Sequence, residues 1–162
     1  MKVVGIDPGT AACGYGVVEL RGNRLAALVH GCWTTAAGRP IEQRLLEIFD
    51  RAAALIAEHR PDAVALEESF VGADARTALS VGQARGAILV ACARAGVRPS
   101  EYAPNRVKHA VCGYGHADKG QAQRMVKTLL GLDDVPRPHH AADALAVAIC
   151  HALASPLLKV AG

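Results

Sequence analysis

Short apolar runs that each end on a carboxylate mark two buried strands of this chain. Residues 3–6 have the length and β-branched content of a buried strand and stop at Asp7, and residues 63–66 run directly into Glu67. An amphipathic helical pattern begins at Pro40 and separates the two runs, so the second strand is predicted to lie parallel to the first. Both strands then end at the same edge of the sheet, where Asp7 and Glu67 are predicted to be neighbours.

The rest of the chain alternates between strand and helix patterns. Two strand-like segments follow Asp7 and are joined by a turn at Gly22-Asn23, so the chain is predicted to open with a three-stranded meander. Capping residues and prolines delimit the later elements. The predicted elements are strands over 13–20, 25–35 and 97–102, and helices over 40–59, over 75–95, from Pro104, from a capping box formed by Asp118 and Gln121, and over 138–150, with Pro156 closing the last helix.

The predicted helix over 75–95 is apolar on more than one side. Its apolar residues do not form a single stripe, and two glycines leave room for another backbone to approach closely: Leu79, Val81, Gly82, Gly86, Ile88, Leu89, Val90 and Cys92. A helix of this kind needs a second packing partner. The helix is either enclosed within the monomer or forms a homodimer contact, and the pattern favours the homodimer.

Length and composition indicate one domain over 1–162. A chain of 162 residues that is 51% hydrophobic can bury a core without disulfides. The five cysteines are widely spaced among apolar neighbours, which is typical of reduced thiols in a cytoplasmic protein. The pattern shows no export signal and predicts no membrane span, so we expect no membrane partner.

Charge is distributed unevenly along the chain. Residues 41–70 carry three Arg against seven Asp and Glu, whereas residues 98–127 carry six Lys and Arg against two acidic residues. A basic segment is either a solvated face or a surface that contacts phosphates. The composition leaves both interpretations open.

The last predicted helix carries a carboxylate among apolar residues. Asp143 lies in an Ala/Leu/Val-rich segment, and burying it unpaired would cost several kcal/mol, so it needs a cation, a metal or a hydrogen-bond donor. His140 and His139 precede it by three and four residues, so either imidazole shares its helix face. The alternatives are a hydrogen-bonded structural histidine and an Asp143 turned outward to solvent.

Together these segments predict a metal site. Asp7, Glu67, His140 and Asp143 would lie at one edge of the sheet, and oxygen ligands clustered in this way repel one another without a cation. They suit Mg²⁺ or Mn²⁺ in the two-metal arrangement that serves in-line phosphodiester hydrolysis. A role in a turn is the alternative for Asp7, because Asp-Pro-Gly is ordinary turn sequence.

The chain carries an ordered set of motifs: Gly5-Ile6-Asp7-Pro8-Gly9-Thr10, Leu66-Glu67 with Phe70, Gly82-Gln83-Ala84-Arg85-Gly86, Glu101-Tyr102-Ala103-Pro104, Val107-Lys108 and Ala141-Ala142-Asp143-Ala144-Leu145-Ala146. Together these motifs resemble the RuvC family of bacterial Holliday-junction resolvases. The resemblance runs from residue 3 to about residue 152 and implies a ribonuclease-H-like α/β fold with a mixed five-stranded sheet flanked by helices. It also implies a homodimer that makes Mg²⁺-dependent paired incisions in a four-way DNA junction.

The resemblance also implies roles for individual residues. The metal ligands would be Asp7, Glu67 and Asp143, with His140 at a fourth position where the family frequently has Asp. A neutral imidazole there suggests that Mn²⁺ is preferred. The implied DNA contacts are Phe70, which would stack on an unpaired base, Lys108 and Lys119 at phosphates, and Arg85 and Arg106. A RuvA–RuvB branch-migration complex is a candidate partner.

Three other classes of protein share some of these features. An actin-like ATPase or sugar kinase also opens with this strand and Asp, but its duplicated domain and second phosphate loop need more than 162 residues. A related nuclease acting on RNA or other branched DNA, and a junction-binding module without activity, remain alternatives.

Overall fold

Five strands form one mixed sheet in the computed structural model, which describes residues 1–68 and 75–158, with side chains to residue 154. The strands are β1 (Lys2–Asp7), β2 (Ala12–Arg21), β3 (Arg24–Thr34), β4 (Ala63–Glu67) and β5 (Ser100–Tyr102). Their order is β3-β2-β1-β4-β5. The first three form an antiparallel meander, and β1, β4 and β5 run parallel, which confirms the predicted mixed sheet.

Helices cover both faces of the sheet. They are α1 (Ile41–His59), α2 (Ala75–Arg94), α3 (Pro104–Cys112), α4 (Lys119–Leu130) and α5 (His139–Leu158). One core cluster joins the sheet to α1 and α2, and the other joins it to α3, α4 and α5. The predicted capping box is present at the start of α4, where Asp118 and Gln121 exchange backbone and side-chain hydrogen bonds.

Two predicted boundaries were wrong. The strand predicted over 97–102 is paired only from Ser100, because Gly96 has a positive φ of 70° and Pro99 has no amide hydrogen for the ladder. The last helix does not end at Pro156 but continues to Leu158. A proline removes one amide donor and crowds the carbonyl four residues earlier, but it does not end a helix whose preceding turns are packed in the core.

Glycines in β1 and β2 bring α5 directly onto the sheet. A Cβ at Gly14 would overlap the backbone oxygen of His140, and a Cβ at Gly5 would overlap the backbone oxygen of Ala144. A Cβ at Gly16 would meet the side chain of Leu145. Because these positions have no side chain, the helix backbone rests on the strand backbones, and the first turn of α5 lies beside the end of β1.

The five cysteines are free thiols, as predicted, with Cys13, Cys92 and Cys150 buried and the other two partly buried. Among the described helices, none combines the length and the apolar content that crossing a bilayer requires.

Candidate active site

The end of β1 and the first turns of α5 bring three ligand side chains together. Asp7 pairs with Gly14 in the sheet, and the His140 backbone rests on Gly14, so His140 lies next to Asp7. Its Nδ1 is 2.7 Å from Asp7 Oδ2. One ligand atom from each of Asp7, His140 and Asp143 lies within 4.8 Å of the other two.

Glu67 enters the site from the neighbouring strand. Ile6 pairs with Leu66 in the parallel register, so β1 and β4 end side by side. The pKa of Glu67 is raised to about 7, mainly by burial and also by the negative charges of Asp7 and Asp143, while Lys119 and Lys108 oppose the shift. The predicted proximity of the carboxylates from the two parallel strands is confirmed.

Asp7 also has a raised pKa. The main cause is burial, and the charge of Asp143 acts in the same direction, whereas the hydrogen bond to His140 and the charge of Lys119 lower the pKa. Two partly buried carboxyl groups whose pKa values are both raised mark a place where a cation would relieve the repulsion.

Asp143 has the cationic partner that its apolar surroundings require. Lys119 Nζ lies 3.0 Å from Asp143 Oδ2. The capping box fixes the start of α4 and so positions Lys119, its first residue. Glu67, Asp143, Lys108 and Lys119 line one cleft of about 260 Å³. The cleft is therefore lined by both carboxylates and ammonium groups.

The structure distinguishes the two adjacent histidines. His140 forms part of the cluster with Asp7 and Asp143, whereas His139 is exposed and stacks on the His140 ring with centroids 4.1 Å apart. His140 is therefore the ligand candidate, and His139 packs behind it.

The remaining predicted DNA contacts have different surroundings. Arg85 forms an ion pair with Glu101 at 2.5 Å, and the Arg106 guanidinium lies 5.0 Å from the centroid of the Tyr102 ring. Lys108 lies in the cleft. Phe70 lies outside the described residues. Arg85 is thus already neutralised, while Lys108 and Lys119 face the carboxylates.

Two features of the site were missed by the sequence analysis. One is the direct contact of the His140 backbone with Gly14, which the Gly14-x-Gly16 spacing in a strand could have indicated, because glycine in a strand marks close backbone approach. The other is the Lys119–Asp143 ion pair, for which no local signal exists in the sequence.

The donor set fits a hard divalent cation. Carboxylates supply the oxygen ligands that Mg²⁺ and Mn²⁺ bind, and one imidazole nitrogen is better accepted by Mn²⁺. Asp7, His140 and Asp143 already have ligand atoms close together, and Glu67 lies beside them.

The fold and the site together define a ribonuclease-H-like protein with a carboxylate-rich site at the ends of β1 and β4. The sequence matches the family described as "Crossover junction endodeoxyribonuclease RuvC" over residues 3–151. The chain belongs to this family.

Individual relatives are similar to this chain along almost its whole length. A crossover junction endodeoxyribonuclease RuvC from Heliobacterium modesticaldum is 55% identical over 150 residues, which cover 93% of each chain. One from Desulfitobacterium hafniense is 51% identical over all of this chain and 98% of its own length. The structure of Thermus thermophilus RuvC in complex with a Holliday junction substrate superposes with a TM-score of 0.94 at 41% identity, covering 98% of this chain and 97% of that one.

Proposed function

We propose that this chain is an endodeoxyribonuclease that resolves Holliday junctions by metal-dependent incision of two opposing strands. The observation that carries the proposal is the cluster of Asp7, His140 and Asp143, with Glu67 beside it, on the fold of a RuvC solved with a junction. The site supplies the cation ligands and the phosphate-binding lysines that such a reaction needs.

The test is cleavage of three substrates under the same conditions. A synthetic four-way junction should be cut in paired strands, whereas plain duplex and an RNA–DNA hybrid of the same sequence should remain intact. Preferential cutting of the hybrid, or of a branched DNA other than a four-way junction, would support the alternative nuclease. Binding without cutting in both Mg²⁺ and Mn²⁺ would support a junction-binding module.

The residues of the chain have separate roles in this reaction. Asp7, Glu67, His140 and Asp143 would hold the cation, which when bound activates water and stabilises charge during in-line phosphodiester hydrolysis. Lys108 and Lys119 line the same cleft and would bind the phosphates beside the cut strand. Arg106 is exposed on α3 and extends this basic face. Phe70 and Arg85 remain proposed DNA contacts. Arg85 would have to leave its ion pair with Glu101 to bind DNA.

The identity of the residue at position 140 should set the choice of metal. Mn²⁺ accepts an imidazole nitrogen more readily than Mg²⁺, so the wild-type chain is expected to cut a junction faster in Mn²⁺ than in Mg²⁺. His140→Asp supplies a hard oxygen and should lower the Mn²⁺ to Mg²⁺ rate ratio. The measurement is single-turnover cleavage in each metal.

His139→Ala is the matched control, since His139 stacks on His140 but lies outside the ligand cluster. It should keep the wild-type metal ratio. The same ratio in all three proteins would show that His140 does not determine metal choice.

We further propose that the chain acts as a homodimer through α2. Leu79, Gly82, Gly86 and Val90 recur at helical spacing on one side of α2, where Leu79 is 65% and Val90 58% exposed. Within the described part of the monomer, a Cβ at either glycine would meet nothing within 4 Å, so a second helix has room to approach. Paired incision of two opposing strands needs two active sites, which a symmetric dimer provides.

Val90→Glu is expected to convert the dimer to a monomer and to abolish paired incision, because it buries a charge in the proposed interface. We place the charge at Val90 and not at Leu89, because Leu89 packs partly against the core and its substitution would also disturb the monomer. Sedimentation at micromolar concentration measures the change. Leu28→Glu is the control, because it places the same charge at an exposed leucine of β3. This variant should still sediment with the mass of a dimer. A wild-type monomer would refute the dimer.

The cellular setting is also a proposal. We place the chain in the bacterial cytoplasm, where the chromosome lies, with a RuvA–RuvB branch-migration complex as its candidate partner on the junction. Co-sedimentation on a junction already bound by these proteins would test the partnership.

A further inference from the structure

A second groove lies across α4 from the active-site cleft. It is enclosed by the end of α3, the loop that follows it and α4, has a volume of about 300 Å³, and is lined by Cys112, Tyr114, Gln121, Arg124 and Met125. Lys119 and Ala122 of the same helix line the cleft instead. An α-helix is about 10 Å across, and one DNA strand rises about 3.4 Å per nucleotide. A DNA strand that crosses α4 from the cleft would therefore reach the groove after about three nucleotides.

The ring of Tyr114 is held in place at the edge of this groove. The residue is 47% exposed, yet its hydroxyl donates a hydrogen bond to Gln121 Oε1 at 2.9 Å. The same oxygen accepts the backbone amide of Asp118 at 3.0 Å as part of the capping box. The ring is thus fixed by the first turn of α4 while a large part of it faces solvent. A ligand that stacks on it would not have to restrict its rotation first.

Arg124 supplies a cation on the same groove. Its guanidinium lies over Gly120, and it forms no ion pair with any carboxylate in the described part of the chain. Residues 104–131 contain five Lys and Arg against one acidic residue, Asp118. Asp118 Oδ1 accepts the amide of Gln121 at 2.8 Å and so serves the helix cap. The face is electropositive and suits a polyanion.

These features match the chemistry of a nucleotide. A planar aromatic ring stacks on a base of any sequence, a guanidinium binds phosphate, and the apolar side chains of Cys112 and Met125 can contact the flat face of a base. We infer that the groove is a nucleotide subsite, in which Tyr114 stacks on an unpaired base and Arg124 contacts the adjacent phosphate of the strand leaving the active site. The inference rests on the proposed junction-resolving function. Both the charge of the groove and its position beside the cleft favour DNA as its occupant.

Equilibrium binding of a four-way junction in EDTA tests the subsite without cleavage. The junction carries 2-aminopurine in turn at the first four positions from the cut, and affinity is measured by anisotropy over a range of salt concentrations. Tyr114→Ala should weaken binding by about fivefold or more and remove the quenching of one 2-aminopurine. Arg124→Ala should reduce the salt dependence by about one unit of slope.

Two matched variants separate stacking from structural effects. Tyr114→Phe removes the same hydrogen bond but keeps the ring, and it should bind within about twofold of wild type. Arg24→Ala removes the same charge from the β2–β3 hairpin, at the end of the sheet away from Asp7, and should leave binding and slope unchanged.

Different outcomes refute different conclusions. If wild type binds and cuts the junction while Tyr114→Ala keeps full affinity and quenching, the subsite is refuted and the function stands. An equal loss in Tyr114→Ala and Tyr114→Phe would also refute it, because the hydroxyl bond and not the ring would then matter. If wild type neither binds nor cuts the junction, the proposed function fails, and the subsite fails with it.

Discussion

Asp7→Asn and Glu67→Gln are each expected to reduce junction cleavage by on the order of 10³-fold or more while leaving junction affinity nearly unchanged. Each substitution removes a proposed cation ligand from the site but leaves Lys108 and Lys119 in the cleft. The measurements are single-turnover cleavage in Mg²⁺ and Mn²⁺ and equilibrium binding in EDTA. A variant that cuts at the wild-type rate would show that the ligand set is misassigned.

Glu67→Gln should also make the metal-free protein more stable. The folded pKa of this carboxyl is raised to about 7, so ionisation opposes folding once the pH exceeds the ordinary value of 4.5, and the full penalty is present above pH 7. The amide removes that penalty. For a chain of this size each kcal/mol raises the melting temperature by about 2–4 °C. The difference from wild type should be largest above pH 7 and disappear below pH 4.5. If the difference in melting temperature does not depend on pH, the ionisation of Glu67 is not its cause.

Gly14→Ala is expected to be the most damaging of the glycine substitutions. The added Cβ would overlap the backbone oxygen of His140, so α5 must move away from β2. A shift of about 1 Å at a catalytic group can cost about a hundredfold in rate, and overpacking typically costs about 1–3 kcal/mol of stability. We therefore expect lower cleavage, weaker Mn²⁺ binding by electron paramagnetic resonance, and a lower melting temperature.

Gly38→Ala is the matched control for this change. Among residues 1–68 and 75–154, nothing lies within 4 Å of a Cβ added at Gly38, so the same substitution there should alter none of the three measurements. Wild-type behaviour in Gly14→Ala would mean that α5 can move without disturbing the site.

The position of the site could be predicted because its two strands carry local signals. Apolar runs ending at Asp7 and Glu67, with a helix between them, specify parallel strands whose ends meet at one edge. The choice between His139 and His140 could not be predicted, since both lie one helical turn from Asp143. It depends on which residue rests on Gly14, a contact between positions 126 residues apart.

Other features depend on tertiary context in the same way. The Lys119–Asp143 ion pair joins α4 to α5, and no spacing rule relates two residues on different helices. The apolar pattern of α2 predicted that one side of this helix would lack a partner within the monomer. The structure adds that Val90 faces outward whereas the adjacent Leu89 packs on the core.

The packing of α5 against β1 and β2 determines when the protein acquires its site during synthesis. Asp7 is among the first residues to leave the ribosome, whereas His140 and Asp143 emerge only after the entire sheet and four helices have been made. A partly synthesised chain holds Asp7 and Glu67 without the other two proposed ligands. The ability to cut a junction should therefore arise late in translation, because an incomplete chain lacks two of the four proposed ligands.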